Sequence, residues 1–222
     1  MDNNVKFVNT SDLEIISDFV ADKIISELEI GHRVLWLVAG GSSIGVIVAT
    51  SKKIMSHDHK NLRVTLTDER YGSMGHPDSN WLQLFSAGFI LPEATLIPVL
   101  ADYDFQETAQ VFAKNLEKEL AEVDYVIGLF GIGPDGHTAG ILPNSPAVFS
   151  NELTCSYDAG NFKRVTITPR MIPFFNEAIV YAQGEAKWPI LEKMNQEISI
   201  TDQPAHVLKK IDKLTIFTDY KN

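Results

Sequence analysis

Cysteine is almost absent from the chain, which contains Cys155 and no other cysteine. A single thiol cannot form an intramolecular disulfide, and residues 1–4 lack the basic and apolar character of a signal peptide. No apolar run approaches the roughly 18 residues of a membrane-spanning helix. We therefore expect a soluble protein in the reducing cytoplasm.

Positive charge is also scarce. The chain has 19 Lys and Arg residues against 29 Asp and Glu residues, which gives a net charge of −10 with neutral His. An acidic protein is not attracted to nucleic acid or to an anionic membrane surface, so neither is expected as a partner. Any anionic small molecule has to be held by a local cluster of basic groups.

Apolar strand patterns alternate with amphipathic helix patterns along the chain, and no repeat or linker separates them. This alternation predicts one α/β domain over residues 1–222, with a single doubly wound, mostly parallel sheet flanked by helices. Strands are predicted at 33–39, 62–66, 125–130, 164–168, 178–182 and 213–218, and the span 143–163 is predicted to be irregular.

A glycine-rich turn, Gly131-Ile132-Gly133-Pro134-Asp135-Gly136-His137-Thr138, follows the apolar strand at 125–130. Ligands of open α/β sheets bind at the carboxyl ends of the strands, where this turn lies. Asp135 and His137 are residue types that together can make an acid–base centre. The turn also fits the dinucleotide pattern G-x-G-x-x-G, but Pro134 removes an N–H group and Asp135 would repel a pyrophosphate, so we reject that interpretation.

A second glycine-rich turn follows the strand at 33–39 and contains Gly40, Gly41, Ser42 and Ser43. A helical pattern comes next, so the turn can offer free backbone N–H groups and a helix N-terminus to an anion.

Ser43 is also the central residue of a G-x-S-x-G pattern, which is typical of the nucleophile of α/β-hydrolases. Asp135 with His206 or His137 could complete a triad. A serine hydrolase therefore stays an alternative, although that nucleophile usually follows several strands and Ser43 follows the first predicted one.

Ordered blocks along nearly the whole chain resemble the 6-phosphogluconolactonases of the pentose phosphate pathway, which belong to a larger sugar-phosphate isomerase and deaminase fold group. The blocks are Gly40–Ser43, Asp68–Arg70, Ser79-Asn80, Gly131–Ala139, Arg164–Thr168, and Gly184 with Lys187. The resemblance implies hydrolysis of 6-phosphoglucono-1,5-lactone to 6-phosphogluconate without a metal or organic cofactor. The implied partner is a phosphorylated sugar lactone, bound by a monomer or a small homo-oligomer.

The resemblance also implies roles for individual residues. The family's central His falls on His137, which we assign as the general base, and either Asp68 or Asp135 is expected to orient it. Arg70 is expected to stabilise the oxyanion or to contact the phosphate. The implied phosphate-binding positions are Gly40, Gly41, Ser42, Ser43, Arg164 and Lys187.

The chain departs from the family pattern in two places. Ser43-Ile44 stands where Thr-Pro is usual, so Ser43 is expected to supply the hydroxyl group. Gly140 and Asn144 replace a usual Ser and Gly.

Two other functions remain open. Glucosamine-6-phosphate deaminases share the Asp-Gly-His turn but usually have Tyr where Arg70 stands and a catalytic Glu where Leu142 stands. A non-catalytic sugar-phosphate-binding regulator would need the phosphate site but not Asp68, Arg70 and His137.

Overall fold

The computed structural model describes residues 5–221. Residues 1–4, on which the signal-peptide expectation rests, and residue 222 lie outside the described residues. A seven-stranded sheet in which all neighbouring strands are parallel forms the centre. Numbered in chain order, its strands lie side by side as β1 (Val5–Asn9), β10 (Leu214–Thr218), β9 (Glu177–Ala182), β6 (Tyr125–Gly131), β2 (Val34–Val38), β3 (Leu62–Leu66) and β5 (Thr95–Leu96).

Six α-helices accompany the strands in the described part of the chain. They are α1 (Leu13–Glu29), α2 (Ile44–Ile54), α3 (Asn80–Ser86), α4 (Phe105–Leu120), α5 (Pro146–Phe149) and α6 (Trp188–Glu192). The first begins after Asp12, whose side chain caps the helix by accepting the N–H of Glu14. α1 then packs against α2. Within residues 5–221, no helix is both long and apolar enough to cross a membrane.

The apolar runs of the sequence become the central strands. All five residues of β2 are buried, as are the first six of β6, and these two strands are neighbours. From β2 the chain continues to β3 on one side, whereas from β6 it continues to β9 and β10 on the other. Loops that leave neighbouring strands in opposite directions open a crevice at the carboxyl edge. Both glycine-rich turns begin at this crevice.

A second, three-stranded antiparallel sheet lies beside the main one. Its order is β4 (Asp68–Arg70), β8 (Lys163–Ile167) and β7 (Thr154–Asp158). The predicted α/β class, with a doubly wound, mostly parallel sheet flanked by helices, is confirmed; the sequence did not predict the additional small sheet. The expectation that the span 143–163 is irregular is wrong, because this span contains α5 and β7. β7 escaped prediction because its segment, Thr-Cys-Ser-Tyr-Asp, has no apolar alternation.

A buried carboxylate joins the small sheet to α3. Glu69 in β4 is fully buried. It accepts the backbone N–H groups of Arg70 at 2.8 Å and Asn80 at 2.7 Å, and the Ser79 hydroxyl at 2.8 Å. Burial raises the pKa of Glu69 above its ordinary value, and these hydrogen bonds oppose the rise. The carboxylate therefore fixes Arg70 relative to the first turn of α3.

Asn80 extends this connection to the first glycine-rich turn. Its Nδ2 donates to the backbone oxygen of Asp68 at 2.8 Å. Its carboxamide also lies so close to Gly40 that a Cβ there would collide with it. The Gly40 turn and the Asp68–Arg70 strand are consequently held in a fixed relation.

We predict that Glu69→Ala lowers the free energy of unfolding by about 2–4 kcal/mol, because buried donors lose their acceptor. Urea unfolding measures the change. The exposed Glu117 of α4 gives the control, and Glu117→Ala should stay within about 0.5 kcal/mol of the wild type. Equal small losses in both variants would contradict the bracing role of Glu69.

Candidate active site

A cavity of about 300 Å³ opens in the crevice between the ends of β2 and β6. Its walls are the Gly40 turn, the turn after β6, the small sheet and Lys187. The structure brings eight of the ten predicted site residues to this cavity: Gly40, Gly41, Ser42, Asp68, Arg70, His137, Arg164 and Lys187. Ser43 and Asp135 are not among the residues that line it.

Asp135 lies behind His137 as its direct partner. Its Oδ1 is 2.6 Å from His137 Nδ1 and also accepts the backbone N–H of His137 at 3.1 Å. The ring can lie this close to the turn because Gly133 has no side chain, since a Cβ there would collide with the imidazole. Within the described residues, Nε2 of His137 has no hydrogen-bond partner.

The charge on Asp135 follows from these contacts. Burial alone would raise the pKa of Asp135, but the N–H group and the imidazole of His137 outweigh burial and lower it below its ordinary value. The carboxylate is therefore ionised at neutral pH. It can hold the proton on Nδ1, so that Nε2 of His137 is left free to accept another.

Asp68 has different partners, although the sequence made it an equal candidate for orienting His137. Its Oδ2 accepts Nη1 of Arg164 at 3.0 Å, and its Oδ1 accepts the Thr67 hydroxyl at 3.3 Å. The carboxylate that contacts His137 is that of Asp135, whereas the Asp68 carboxylate fixes Arg164.

The lining of the cavity is positive. It carries Arg70, Arg164 and Lys187 against the single carboxylate of Asp68, an excess of two positive charges when His137 is neutral. Nζ of Lys187 donates to the Ser42 hydroxyl at 3.3 Å. Burial lowers the pKa of Lys187 below its ordinary value, and the nearby Asp219 opposes this shift. A local excess of positive charge thus lines this cavity of an acidic protein.

The structure corrects the role that the sequence interpretation gave to the Ser43 hydroxyl group. It is fully buried in the short 3₁₀ turn Gly41–Ser43, and its Oγ has no hydrogen-bond partner among the described residues. The expectation that its side chain supplies the hydroxyl is wrong, because Ser42 presents that group to the cavity. A nucleophile also needs a neighbouring base, and Ser43 contacts none.

His206, the other histidine considered for a triad, is also buried away from the cavity lining. Its Nε2 lies 3.2 Å from Gln203 Oε1. The Gln203 side chain in turn packs against Gly136, so this segment supports the turn that carries His137.

The two residues that depart from the family pattern after His137 have structural explanations. Asn144 has φ +56°, a left-handed conformation that Asn tolerates better than most residues other than Gly. At Gly140 a Cβ would lie 2.7 Å from Cβ of Thr166, and the Gly140 N–H donates to the Thr166 hydroxyl at 3.0 Å. The missing side chain therefore lets β8 approach the turn.

The sequence interpretation did not assign Asn80 or Phe162 to the site. Asn80 lines the cavity, and Phe162 packs against both arginines that line it. The Ser79-Asn80 block of the sequence could have identified Asn80 as a site residue. Phe162 lies in the polar span after Pro143, and no sequence pattern marked it.

The chain is similar to several known proteins. A family model described as glucosamine-6-phosphate isomerases/6-phosphogluconolactonase matches residues 13–217. A 6-phosphogluconolactonase of Neisseria meningitidis serogroup A is 33% identical over 208 residues, which are 82% of each chain. A glucosamine-6-phosphate deaminase of a Geobacillus species is 27% identical over 97% of this chain and 93% of that protein. Other curated 6-phosphogluconolactonases align over 52% to 63% of their own length.

Among solved structures, a 6-phosphogluconolactonase from Shewanella baltica superposes with a TM-score of 0.83. The match covers 98% of this chain and 99% of that one at 19% identity. At that identity the likeness shows a shared fold.

The buried His206 predicts a pH dependence of stability. Burial, with a smaller effect of the Lys209 charge, lowers the pKa of His206 to about 4. Between pH 6.5 and about 4 the unfolded chain binds a proton that the folded chain does not, so acidification destabilises the folded state. In urea unfolding, the difference in free energy of unfolding between the wild type and His206→Gln should therefore shift against the wild type as the pH falls from 6.5 to about 4. A difference that stays constant with pH would contradict it.

Proposed function

The chain belongs to the family of glucosamine-6-phosphate isomerases and 6-phosphogluconolactonases, and we propose that it hydrolyses 6-phospho-D-glucono-1,5-lactone to 6-phospho-D-gluconate in the oxidative pentose phosphate pathway. One observation carries the proposal. His137, which is hydrogen-bonded to Asp135, lines the same cavity as a surplus of cationic side chains.

The phosphate occupies the positive part of the cavity. A phosphate monoester carries about −1.5 to −2 charges at pH 7, which matches the excess of two positive charges in the lining. Lys187 and Ser42 lie together at the Gly40 turn and can both donate to phosphate oxygens. Arg164, held by Asp68, adds a planar pair of donors.

His137 carries the chemistry. Its Nε2 takes a proton from water while the water oxygen attacks the lactone carbonyl carbon, and Asp135 stabilises the imidazolium through Nδ1. Arg70 stabilises the negative charge that develops on the carbonyl oxygen. When the carbonyl re-forms, the bond to the ring oxygen breaks and that oxygen takes the proton back from Nε2. The product is the open-chain acid, which ionises in solution.

Specific residues argue against the other candidate functions. The Geobacillus deaminase aligns with most of this chain, but Leu142 stands where deaminases usually have a catalytic Glu. The burial of Ser43 argues against a serine hydrolase. A non-catalytic regulator has no use for the hydrogen-bonded Asp135–His137 pair.

We also propose that residues 1–222 form one domain, that the protein is cytoplasmic, and that it acts as a monomer or a small homo-oligomer. The single cysteine supports the reducing compartment.

We predict that the wild type accelerates loss of 6-phosphogluconolactone above its spontaneous rate and releases no ammonia from glucosamine 6-phosphate. His137→Gln should lower kcat about 10²–10⁴-fold because the general base is lost. The exposed His57 provides a control, and His57→Gln should keep the wild-type rate. Near wild-type turnover by a folded His137→Gln variant would remove His137 from the mechanism.

We predict that Lys187→Met lowers kcat/KM for the phosphorylated lactone by about 1.5–3 kcal/mol, the range of a charge-assisted hydrogen bond, and barely affects unphosphorylated gluconolactone. Lys187 is a cleaner probe than Arg164, whose removal would leave Asp68 buried and unpaired. Lys193→Met, at an exposed position nearby, serves as the control. Equal losses on both lactones would assign Lys187 to the fold or the chemistry instead.

A further inference from the structure

Two arginines that line the cavity lie opposite each other on neighbouring strands of the small sheet. Arg70 of β4 and Arg164 of β8 are register partners. Side chains of directly opposite residues in antiparallel strands lie on the same face, where like charges destabilise the pair. Asp68 neutralises Arg164 at 3.0 Å. Arg70 has no carboxylate partner within residues 5–221.

One aromatic ring contacts both guanidinium groups. Phe162 immediately precedes β8, and its side chain lies on the same face as the two arginines. Its ring centroid is 5.1 Å from Cζ of Arg70 and 5.8 Å from Cζ of Arg164. Both distances are within the range of a cation–π contact.

Hydrogen bonds alone do not lock either guanidinium group. Arg70 donates through Nη1 to the backbone oxygen of Asp78 at 2.9 Å, and Arg164 donates through Nη1 to Asp68. The Nε atoms of both arginines are buried and have no partner in the described part of the chain. The ring of Phe162 is the contact that they share.

We propose that Phe162 is a positioning residue whose ring holds the guanidinium groups of Arg70 and Arg164 side by side for an anionic substrate. That the anion is a sugar phosphate rests on the proposed function. A second carboxylate at this place would cancel positive charge and compete with the substrate for the donors. A ring attracts the cations through its face and leaves the charge of the cavity unchanged.

The hairpin between β7 and β8 does not itself require an aromatic residue at this position. Its turn is closed by the N–H of Ala159, which donates to the backbone oxygen of Phe162 at 2.9 Å, and Gly160 supplies the left-handed conformation with φ +85°. If Phe162 only filled space, Leu would replace it without an effect on anion binding.

The test compares Phe162→Leu with Phe162→Trp, using inorganic phosphate as the probe in calorimetry. Leu keeps apolar bulk without a π face and should weaken phosphate binding about 3- to 30-fold, whereas Trp should stay within about twofold of the wild type. Nitrogen relaxation of the arginine Nε–H groups gives a second readout. Arg70 and Arg164 should gain mobility in the Leu variant and not in the Trp variant.

Phe105→Leu is the matched control, because Phe105 lies under Lys163 of the same hairpin at 5.4 Å but does not line the cavity. It should leave phosphate affinity and the mobility of both arginines unchanged. Equal losses in the Leu and Trp variants of Phe162, or unchanged arginine mobility in the Leu variant, would overturn the proposal. If the proposed function alone is wrong, the Phe162 effects persist while the lactone is not hydrolysed. If the wild type does not bind phosphate, the mobility of Arg70 and Arg164 in the Leu and Trp variants alone tests the proposal.

Discussion

The divergence of the chain from two neighbouring buried strands is the constraint on which the site depends. β2 and β6 lie side by side, and the chain leaves them toward opposite ends of the sheet. Their loops cannot pack on each other at the carboxyl edge, so a cavity remains between them. The apolar burial that stabilises these strands thus also creates the place where a substrate can bind.

The small antiparallel sheet closes this cavity and supplies charge. Glu69 fixes Arg70 to the start of α3, and Gly140 lets β8 approach the turn that carries His137. These contacts bring cationic side chains to a cavity in a protein whose net charge is −10. Long-range repulsion of a phosphate is screened within about 8–10 Å at physiological salt, whereas donors in direct contact are screened much less. Local charge can therefore dominate binding.

Sequence periodicity predicts those strands and helices that have a clear pattern of apolar residues. The strand at 62–66 has the predicted bounds, because apolar residues alternate along the whole segment. β4 and β7 were not predicted as strands, since they are short and polar and form only through pairing with β8. Local patterns carry no information about such distant partners.

Contacts between distant segments also limit what the sequence predicts about the site. The motifs predict that Asp135, His137 and Arg70 belong to one edge, but not whether Asp68 or Asp135 touches the imidazole, which depends on the pairing of β4 with β8. Ser42 and Ser43 are equivalent in sequence, yet a single 3₁₀ turn exposes one and buries the other. Geometry of this kind is set by tertiary packing.

A crystal structure of the complex with 6-phosphogluconate tests the central claim most directly, because it locates both ends of the product in one cavity. We expect the phosphate within hydrogen-bond distance of Ser42, Arg164 and Lys187, and the newly formed carboxylate beside Nε2 of His137. A phosphate bound next to His137, or a product bound outside the cavity between β2 and β6, would contradict the account.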